Sequence, residues 1–420
     1  MYYRSHKENK NIPINTPRQN ELTRNWLLLL SASLGVICSS IVLPFYSLGA
    51  LVVPMTEEFG WSRAEFQLAL LFSTGTGVIT APVVGWLLER VGARVMAISG
   101  LIGLAVALAS TSLVDGKLWM LYACYTAMAF LGAGTIPVTW TRAVTSLFFE
   151  QRGLALGIML SGTGICAIII PQYTVWMIEH FGWRTAYLGL AALPILIAGP
   201  LVFLFFKPGE DIEADPEVSE ANQTGYTFFE ATRGYRFWVL LLSIFLVYIA
   251  MSGMVPNLIP ALTDQGISAQ KAATAISVFG VAVIAGRLIV GYLVDKIWAP
   301  GVAAVAIGLP VIGSLILAGA PGFFIACVAA AMLGFAAGAE LDLMSFLAAK
   351  YFGLKHYPQI YAVLYSALAL ASGVAPMLFA RVFDVTGNYE IGFLVGAGFF
   401  AIGAGMILLM GRYPTRLPSR

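Results

Sequence analysis

The chain has 420 residues, of which 59% are hydrophobic and only 11% are charged, and its formal net charge is +2. A soluble globular protein has about 25% charged residues, so this chain cannot cover a water-facing surface of its size. Soluble enzymes and nucleic-acid-binding proteins are therefore excluded, and the lipid bilayer is the solvent that fits. The small net charge also argues against a polyanionic partner. The four cysteines lie in apolar stretches without metal-ligand spacing, so we expect buried free thiols.

Twelve apolar segments are each long enough to cross a hydrocarbon core of about 30 Å, which requires about 20 residues. They predict an all-α membrane protein with spans at residues 26–53, 64–88, 95–114, 118–147, 154–178, 185–206, 236–260, 271–294, 301–320, 322–349, 358–382 and 391–411. The breaker Ala320-Pro321-Gly322 must form a very short turn between spans 9 and 10. The polar residues 1–25 lack the apolar region of a signal peptide, so we expect an N-terminal tail.

The longest connection, residues 207–235, is acidic and divides the spans into six plus six. We therefore predict two six-helix bundles, residues 26–206 and 236–411, with a linker between them and a C-terminal tail at 412–420. Of the 24 Lys and Arg residues, 17 fall on the side of the termini, 5 on the opposite side and 2 inside spans. The positive-inside rule then places both termini and the linker in the cytoplasm, for a multi-pass protein of the inner (plasma) membrane.

The two predicted bundles repeat each other at a shift of 206 residues. At this shift the residues Pro54, Gly60, Ser62, Gly85, Glu89 and Arg90 align with Pro260, Gly266, Ser268, Gly291, Asp295 and Lys296. A duplicated six-helix unit is typical of transporters whose substrate site lies between the halves near the bilayer midplane. Ser62 and Glu65 are also spaced as a capping box that opens span 2.

Two of the repeated segments resemble a known family. GWLLERVGAR at 85–94 is similar to the signature loop between helices 2 and 3 of the major facilitator superfamily, and GYLVDK at 291–296 resembles its echo after helix 8. The resemblance implies the major facilitator fold and a cytoplasmic gate, in which glycine permits close helix contact and an acid and a base form a latch. The gate residues would then be Gly85, Glu89, Arg90, Arg94, Gly291, Asp295 and Lys296. The alternative is that these charges only flank a span and set its orientation.

Further segments narrow the branch of the family. EEFGWSRAEF (57–66), FGWRTAY (181–187), GAELDLMSFLAAKYFGLKH (338–356) and FDVTGNY (383–389) are similar to bacterial members of the monocarboxylate-porter and oxalate/formate-antiporter branch. The resemblance implies secondary transport of a small organic anion. Span 1 lacks the acid–glycine pair and the lysine of animal monocarboxylate porters, and span 11 lacks the lysine of an oxalate exchanger. These departures leave the particular anion open.

Four ionisable residues lie inside spans, where charge is costly and marks sites of function: Arg142, Arg287, Glu340 and Asp342. Arg142, near the end of span 4, is expected to snorkel or to latch the gate, with substrate contact as the alternative. Arg287 lies deeper, and its planar fork suits a carboxylate. The resemblance assigns the substrate anchor to an arginine of helix 8, which Arg287 matches. A permanent salt bridge to Glu340 or Asp342 is the alternative.

Glu340 and Asp342, near the middle of span 10, are the candidates for carrying a coupled proton. Residues i and i+2 are about 200° apart on a helix, so both cannot face one cavity squarely. We favour Glu340 because it lies nearer the centre of the span. An arriving carboxylate would compete with the acid for Arg287, and protonation of the acid would release the arginine.

Uncharged polar residues of spans 7 and 11 would complete the substrate site, although each could instead bond a neighbouring helix. They are Tyr248, Asn257, Tyr361 and Tyr365. The histidines are far apart and a phosphate-binding Gly-rich loop is absent, so we expect neither an enzyme nor ATP use.

The sequence thus predicts a proton-coupled transporter of a small organic anion, in the first place a monocarboxylate, that works by alternating access. We expect no cofactor, no metal and no nucleic acid, and a monomer surrounded by lipid. An exporter of acidic drugs or metabolites and a non-transporting membrane sensor remain as alternatives.

The predicted topology can be tested with single cysteines at Asp115 and Ser219 in a cysteine-free background. An impermeant maleimide should label Asp115→Cys in intact cells and Ser219→Cys only in inverted vesicles, because the positive residues place these loops on opposite sides. Labelling of Ser219→Cys from outside in intact cells would overturn the orientation.

Overall fold

The computed structural model describes residues 21–148, 151–207, 225–294, 296–353 and 356–414. Most of the predicted N-terminal tail and linker, the end of the C-terminal tail and Asp295 lie outside these residues. The first six spans comprise the helices Glu21–Ile37, Val42–Phe59, Arg63–Gln67, Leu71–Gly75, Gly77–Val91, Ala93–Thr111, Leu118–Leu131, Ala133–Thr135, Pro137–Thr145, Arg152–Leu160, Gly162–Leu193, Pro194–Ala198 and Gly199–Phe205. After a short linker helix, Phe228–Arg233, spans 7 to 12 are Tyr235–Asp264, Ala269–Val294, Ala299–Ala318, Phe323–Phe352, Tyr357–Thr386 and Glu390–Leu408.

Nine helical segments in the described residues are long and apolar enough to cross a membrane by themselves. One of them, Gly153–Phe205, has 53 residues, about 80 Å of helix at 1.5 Å per residue, which is too long for one crossing. It bends at Gly182, whose φ of 78° is left-handed, so it supplies spans 5 and 6. Spans 2 and 4 are broken into shorter helices by π and 3₁₀ turns. The predicted twelve-span, all-α fold is therefore confirmed.

Two local predictions are also confirmed. Ser62 and Glu65 form the capping box in both directions: the Glu65 amide donates to Ser62 Oγ (3.1 Å), and the Ser62 amide donates to Glu65 Oε2 (2.8 Å). Span 9 ends at Ala318 and span 10 begins at Phe323, and the turn between them uses a left-handed residue, Ala320 (φ 49°). The described part of the linker contains one helix, Phe228–Arg233, with its own capping box at Thr227.

Each half of the chain has its own apolar core. One buried cluster belongs almost entirely to residues 231–410, and two others belong to residues 28–206. Large apolar side chains such as Phe324, Leu196 and Val305 are strongly exposed on the outside of the bundle. Because lipid is as apolar as these side chains, their exposure fits a bilayer and not water.

The halves pack closely at one end of the bundle, which we name the closed end. It is the end that carries the loops 60–62, 112–117 and 265–268. Near the middle of the bundle, spans 5 and 8 touch through Gly164 and Gly280: a Cβ at Gly164 would lie 2.9 Å from the Gly280 carbonyl oxygen, and a Cβ at Gly280 would lie 2.6 Å from that of Gly164. Small residues let two backbones approach in this way. Gln172 of span 5 adds a hydrogen bond from its amide to Thr274 Oγ1 of span 8 (2.8 Å).

A cluster of side chains, here called the Arg63 latch, joins spans 2, 7 and 11 at the closed end. The Arg63 guanidinium donates to both carboxylate oxygens of Asp264 (2.5 and 2.8 Å) and to the Tyr389 hydroxyl (3.2 Å), and it lies 3.7 Å above the ring centre of Phe383. Asp384 accepts hydrogen bonds from the backbone amides at the start of the helix Arg63–Gln67 (3.1 and 3.0 Å). Two carboxylates of the second half therefore hold one cation and one helix N-terminus of the first half.

The opposite end of the bundle, the open end, carries Gly85 and Gly291. A Cβ built at either glycine would meet no atom of the described residues within 4 Å. Arg152–Leu160, which also lies at this end, packs against helices of its own half. The two halves therefore meet at the closed end and diverge toward the open end.

The Arg63 latch should favour this conformation over one that is open at the other end. Arg63→Ala removes a bidentate charged contact worth about 1–2 kcal/mol, so the equilibrium should shift roughly 5- to 30-fold toward opening of the closed end. Spin labels at Asp115→Cys and Gly322→Cys, in a cysteine-free background, would report this as a longer distance between the halves.

Arg184→Ala is the matched control for this measurement. Its guanidinium bonds Glu58 within the first half (2.7 Å), so its loss removes a similar charge without freeing the second half. If Arg63→Ala gives the same distance distribution as Arg184→Ala, the latch does not hold the halves together.

Candidate functional site

Arg287 lies in the interior of span 8 and is 5% exposed. The sequence allows this because span 10 presents glycines to span 8. A Cβ at Gly334 would lie 2.2 Å from the Phe279 carbonyl oxygen, and one at Gly338 would lie 2.0 Å from that of Val283. The two helices therefore touch along their backbones, and the side chain of Arg287 is brought directly against span 10.

The guanidinium of Arg287 is only partly satisfied by the protein. Its Nε donates to the Gly338 carbonyl oxygen at 3.4 Å and lies 3.3 Å from Asp342 Oδ2. Its Nη1 is buried and has no hydrogen-bond partner among the described residues. Buried polar atoms are nearly always hydrogen-bonded, and an exception marks a place where a ligand group can be accepted. The Nη1 group of Arg287 is therefore free to donate a hydrogen bond to a bound anion.

The two acids of span 10 face different environments. Asp342, the partner of Arg287, is 37% exposed at its side chain, whereas Glu340 is 6% exposed. Glu340 lines a small cavity inside the second half, between spans 7, 9, 10 and 12, and its Oε1 has no partner in the described part of the chain. The two acids therefore face different surroundings, as their separation of about 200° predicts, and the acid that pairs with Arg287 is Asp342, not the favoured Glu340. Which of the two carries a proton stays a prediction. Depth along a helix did not indicate which face the residue occupies.

Three tyrosines of span 11 stack in a row beside this pair. The ring centres of Tyr357 and Tyr361 are 5.5 Å apart, and those of Tyr361 and Tyr365 are 6.4 Å apart. Tyr361 lies within Coulombic range of Asp342. Tyr248 of span 7 lies within the same range of Arg287, Glu340, Tyr361 and Tyr365. The structure thus brings Tyr248, Tyr361 and Tyr365 to the neighbourhood of Arg287.

Tyr46 of span 1 is a residue of the site that the sequence argument missed. Its hydroxyl lies within Coulombic range of both Arg287 and Glu340, although it belongs to the other half of the chain. Its ring centre lies 6.4 Å from that of Phe279 on span 8. A tyrosine in an apolar span gives no sequence signal of its own, and only the packing of span 1 against the second half shows its position.

Asn257 has a different place from the one expected. It is fully buried, and its side-chain amide exchanges two hydrogen bonds with Gln67 of span 2 (2.6 and 3.0 Å). Its Nδ2 also donates to the carbonyl oxygens of Gly253 (2.8 Å) and Pro376 (3.2 Å). The expectation that Asn257 contacts substrate is therefore corrected for this conformation: it joins the halves toward the closed end.

The predicted gate cations are held within their own halves in this conformation. Arg90 lies 3.9 Å above the Trp86 ring, and Lys296 donates to the hydroxyl of Tyr292. These two pairs stand 206 residues apart, so they extend the internal repeat. Arg94 donates to the Phe203 carbonyl oxygen (2.5 Å).

The structure describes the remaining predicted gate residues only in part. The side chain of Glu89 and all of Asp295 lie outside what the structure describes. Arg142 is half-buried in the last turn of Pro137–Thr145, at the open end. A Cβ at Gly85 or Gly291 would meet open space among the described residues, so neither glycine is at a close helix contact in this conformation. The gate assignment therefore stays a prediction for the state in which the open end closes.

Comparison with known proteins places these features in a family. The model of the family described as the Major Facilitator Superfamily matches residues 26–321 and 240–420. Monocarboxylate transporter 11 of Mus musculus is 26% identical over 89% of this chain and 84% of its own length. The uncharacterised MFS-type transporter YhjX of Escherichia coli is 28% identical over 74% of this chain and 77% of its own length.

A solved structure has the same fold. A bacterial homologue of the human lysosomal transporter Spinster, crystallised in an inward-facing and occupied conformation, superposes with a TM-score of 0.67 at 17% identity. The alignment covers 92% of this chain and 96% of that one. At this identity the likeness concerns the fold alone.

Proposed function

This chain belongs to the Major Facilitator Superfamily, whose members are transporters and not enzymes, and we propose that it moves a monocarboxylate together with a proton by alternating access. The observation that carries the proposal is Arg287, a buried guanidinium with one unsatisfied prong and one acidic partner. The names of relatives such as monocarboxylate transporter 11 support the same class of substrate.

The charge of the site favours an anion with one carboxylate. A guanidinium matches a carboxylate geometrically and is more weakly hydrated than an ammonium, so it suits a partly buried anion site. The other arginine expected inside a span, Arg142, lies in the last turn of its helix and not at the depth of Arg287. A second carboxylate on the same substrate would therefore remain unpaired near Arg287, at a high cost in a low-dielectric site.

Proton coupling follows from competition for Arg287. In the empty site Asp342 compensates the guanidinium at 3.3 Å. A substrate carboxylate needs the same charge, and two carboxylates on one arginine repel each other. If Asp342 takes up a proton, the repulsion ends and the anion binds more tightly, so the two ligands favour each other by the same factor. Asp342 is suited to this role because its side chain is exposed enough to exchange a proton with water.

Alternating access is supported by the asymmetry of the two ends. The Arg63 latch and the Gln67–Asn257 pair close one end, while Gly85 and Gly291 face open space at the other. The excess of Lys and Arg at the open end argues that it faces the cytoplasm, with both termini. We propose that transport exchanges this state for one in which the gate residues pack and the latch opens.

Two alternatives are separable from this proposal. An exporter of acidic drugs would use the same arginine but would run outward under a proton gradient. A membrane sensor would bind the anion without moving it. Counterflow of a labelled acid in proteoliposomes requires movement of substrate through the protein, so it would separate a carrier from a sensor.

The proposal is tested by measuring counterflow of labelled pyruvate, with acetate, benzoate and oxalate as competitors. Arg287→Lys keeps the charge but loses the fork, so the affinity for monocarboxylates should fall about 10- to 100-fold, the effect of losing one charge-assisted hydrogen bond. Oxalate should compete poorly because its second carboxylate lacks a cation.

Arg184→Lys is the matched control, because Arg184 makes a charged contact far from the site. Its affinity and transport should equal those of the unaltered protein. Unchanged monocarboxylate affinity in Arg287→Ala, in protein that is folded by its thermal transition, would remove Arg287 from the substrate site.

A further inference from the structure

The tyrosines of span 11 form a continuous aromatic surface beside the anion site, which we name the tyrosine ladder: Tyr357, Tyr361 and Tyr365. Successive members are four residues apart and therefore lie one above the other on the helix. Their rings are nearly parallel, with interplanar angles of 26° and 24°. All three side chains are half-buried, so part of each ring is covered by protein and part remains accessible.

A purely structural role explains only one end of the ladder. The Tyr357 hydroxyl lies beside Ser345 of span 10, as expected for a residue at the contact of two helices. Among the described residues, however, the hydroxyls of Tyr361 and Tyr365 have no hydrogen-bond partner. A phenylalanine or leucine would pack there equally well if these positions served helix contact alone. The two deeper rings therefore offer accessible aromatic faces together with free hydroxyl groups.

The ladder lies next to the groups that hold the carboxylate. Tyr361 is within Coulombic range of Asp342, which pairs with Arg287. Tyr248 is within the same range of Arg287, Tyr361 and Tyr365, so it connects the two parts of the site. Tyr46 approaches Arg287 from the other half. Tyrosines of spans 1, 7 and 11 therefore lie within Coulombic range of Arg287 or of the acid that pairs with it.

Resting on the proposed function, we propose that the substrate is an aromatic monocarboxylate, with its carboxylate on Arg287 and its ring against Tyr361 and Tyr365. Aromatic rings prefer offset-stacked or edge-to-face contacts with other rings, and such pairs contribute beyond the area that they bury. A saturated ring of the same size has no such preference and is not planar. The ladder thus distinguishes acids by ring chemistry, whereas Arg287 recognises only their charge.

The test uses matched pairs of acids: benzoate with cyclohexanecarboxylate, and phenylacetate with cyclohexylacetate. Dissociation constants are measured by calorimetry on the purified full-length protein. The aromatic acid should bind about 3- to 10-fold more tightly than its saturated partner in at least one pair. The saturated ring buries at least as much apolar area, so hydrophobicity alone predicts the opposite order.

Three variants locate the preference in the ladder. Tyr361→Phe keeps the ring and should keep the ratio of the two dissociation constants. Tyr361→Leu removes the ring, so the ratio should fall to about one while both acids still depend on Arg287. Tyr235→Leu is the control, because Tyr235 is an exposed tyrosine at the start of span 7.

The outcomes separate this proposal from the one on which it rests. A ratio near one in the unaltered protein, with binding that is still lost in Arg287→Ala, would overturn the aromatic substrate and leave the anion site intact. A ring preference that survives in Tyr361→Leu and Tyr365→Leu would also overturn it. No binding of any of these acids, with Arg287-dependent counterflow of pyruvate retained, would overturn the aromatic substrate alone, and binding that does not depend on Arg287 would overturn both proposals.

Discussion

A cation buried within a membrane-spanning bundle needs a nearby negative charge, and this requirement for Arg287 organises the centre of the protein. Moving an ion out of water costs several kcal/mol even after the surroundings relax, and an unpaired buried charge is strongly destabilising. Span 10 meets the requirement with Asp342 at 3.3 Å. It can do so only because glycines bring its backbone into contact with span 8. The glycines of span 10 are thus needed to place Asp342 close enough to neutralise Arg287.

The same requirement explains why the pair can respond to a ligand. Asp342 is more exposed than Arg287, so one partner remains in contact with water while the other does not. A substrate carboxylate can replace the acid as the counter-charge, provided that the acid becomes neutral. Charge balance within the site is kept in both states, which is the condition for moving an anion through a low-dielectric region. The proposed coupling therefore needs no group beyond the pair and the substrate.

The contacts at the closed end also pair each charge with an opposite charge or with a helix N-terminus, but they join residues of the two different halves. Arg63 is the counter-charge for Asp264, and Asp384 is the partner of the helix that Arg63 begins. Both interactions cross from one half of the chain to the other, so they exist only while this end is shut. At the open end the cations Arg90 and Lys296 lie over the rings of Trp86 and Tyr292, each four residues earlier in the same half. The charged contacts between the halves are therefore made at one end at a time in the proposed cycle.

The sequence predicts the features that depend on composition and spacing. The twelve spans, the repeat, the capping box at Ser62 and the turn at Ala320 follow from apolar length, residue type and local geometry. The burial of Arg287 follows from its depth in span 8, and the 200° rule predicts that Glu340 and Asp342 face different surroundings. Apart from the repeat, which compares the two halves of the sequence, each of these needs information from one helix or one loop only.

The features that the sequence does not predict depend on how helices face each other. Neither the pairing of Arg287 with Asp342 nor the approach of Tyr46 from the other half has a signal within its own span. Asn257 has the composition expected of a ligand contact, but its partner is Gln67, 190 positions away. The bonds of Arg63 to the second half also exist only in a particular conformational state. Orientation about the helix axis and the state of the two halves are properties of the assembled bundle.

Proton uptake on anion binding is the most direct test of the central claim, that the substrate and Asp342 compete for Arg287. Calorimetry of benzoate binding at about pH 7, in buffers with different ionisation enthalpies, gives the number of protons taken up. The account predicts about one proton per bound anion in the unaltered protein and in Glu340→Gln, and about none in Asp342→Asn. Anion binding without proton uptake in the unaltered protein, or undiminished uptake in Asp342→Asn, would contradict it.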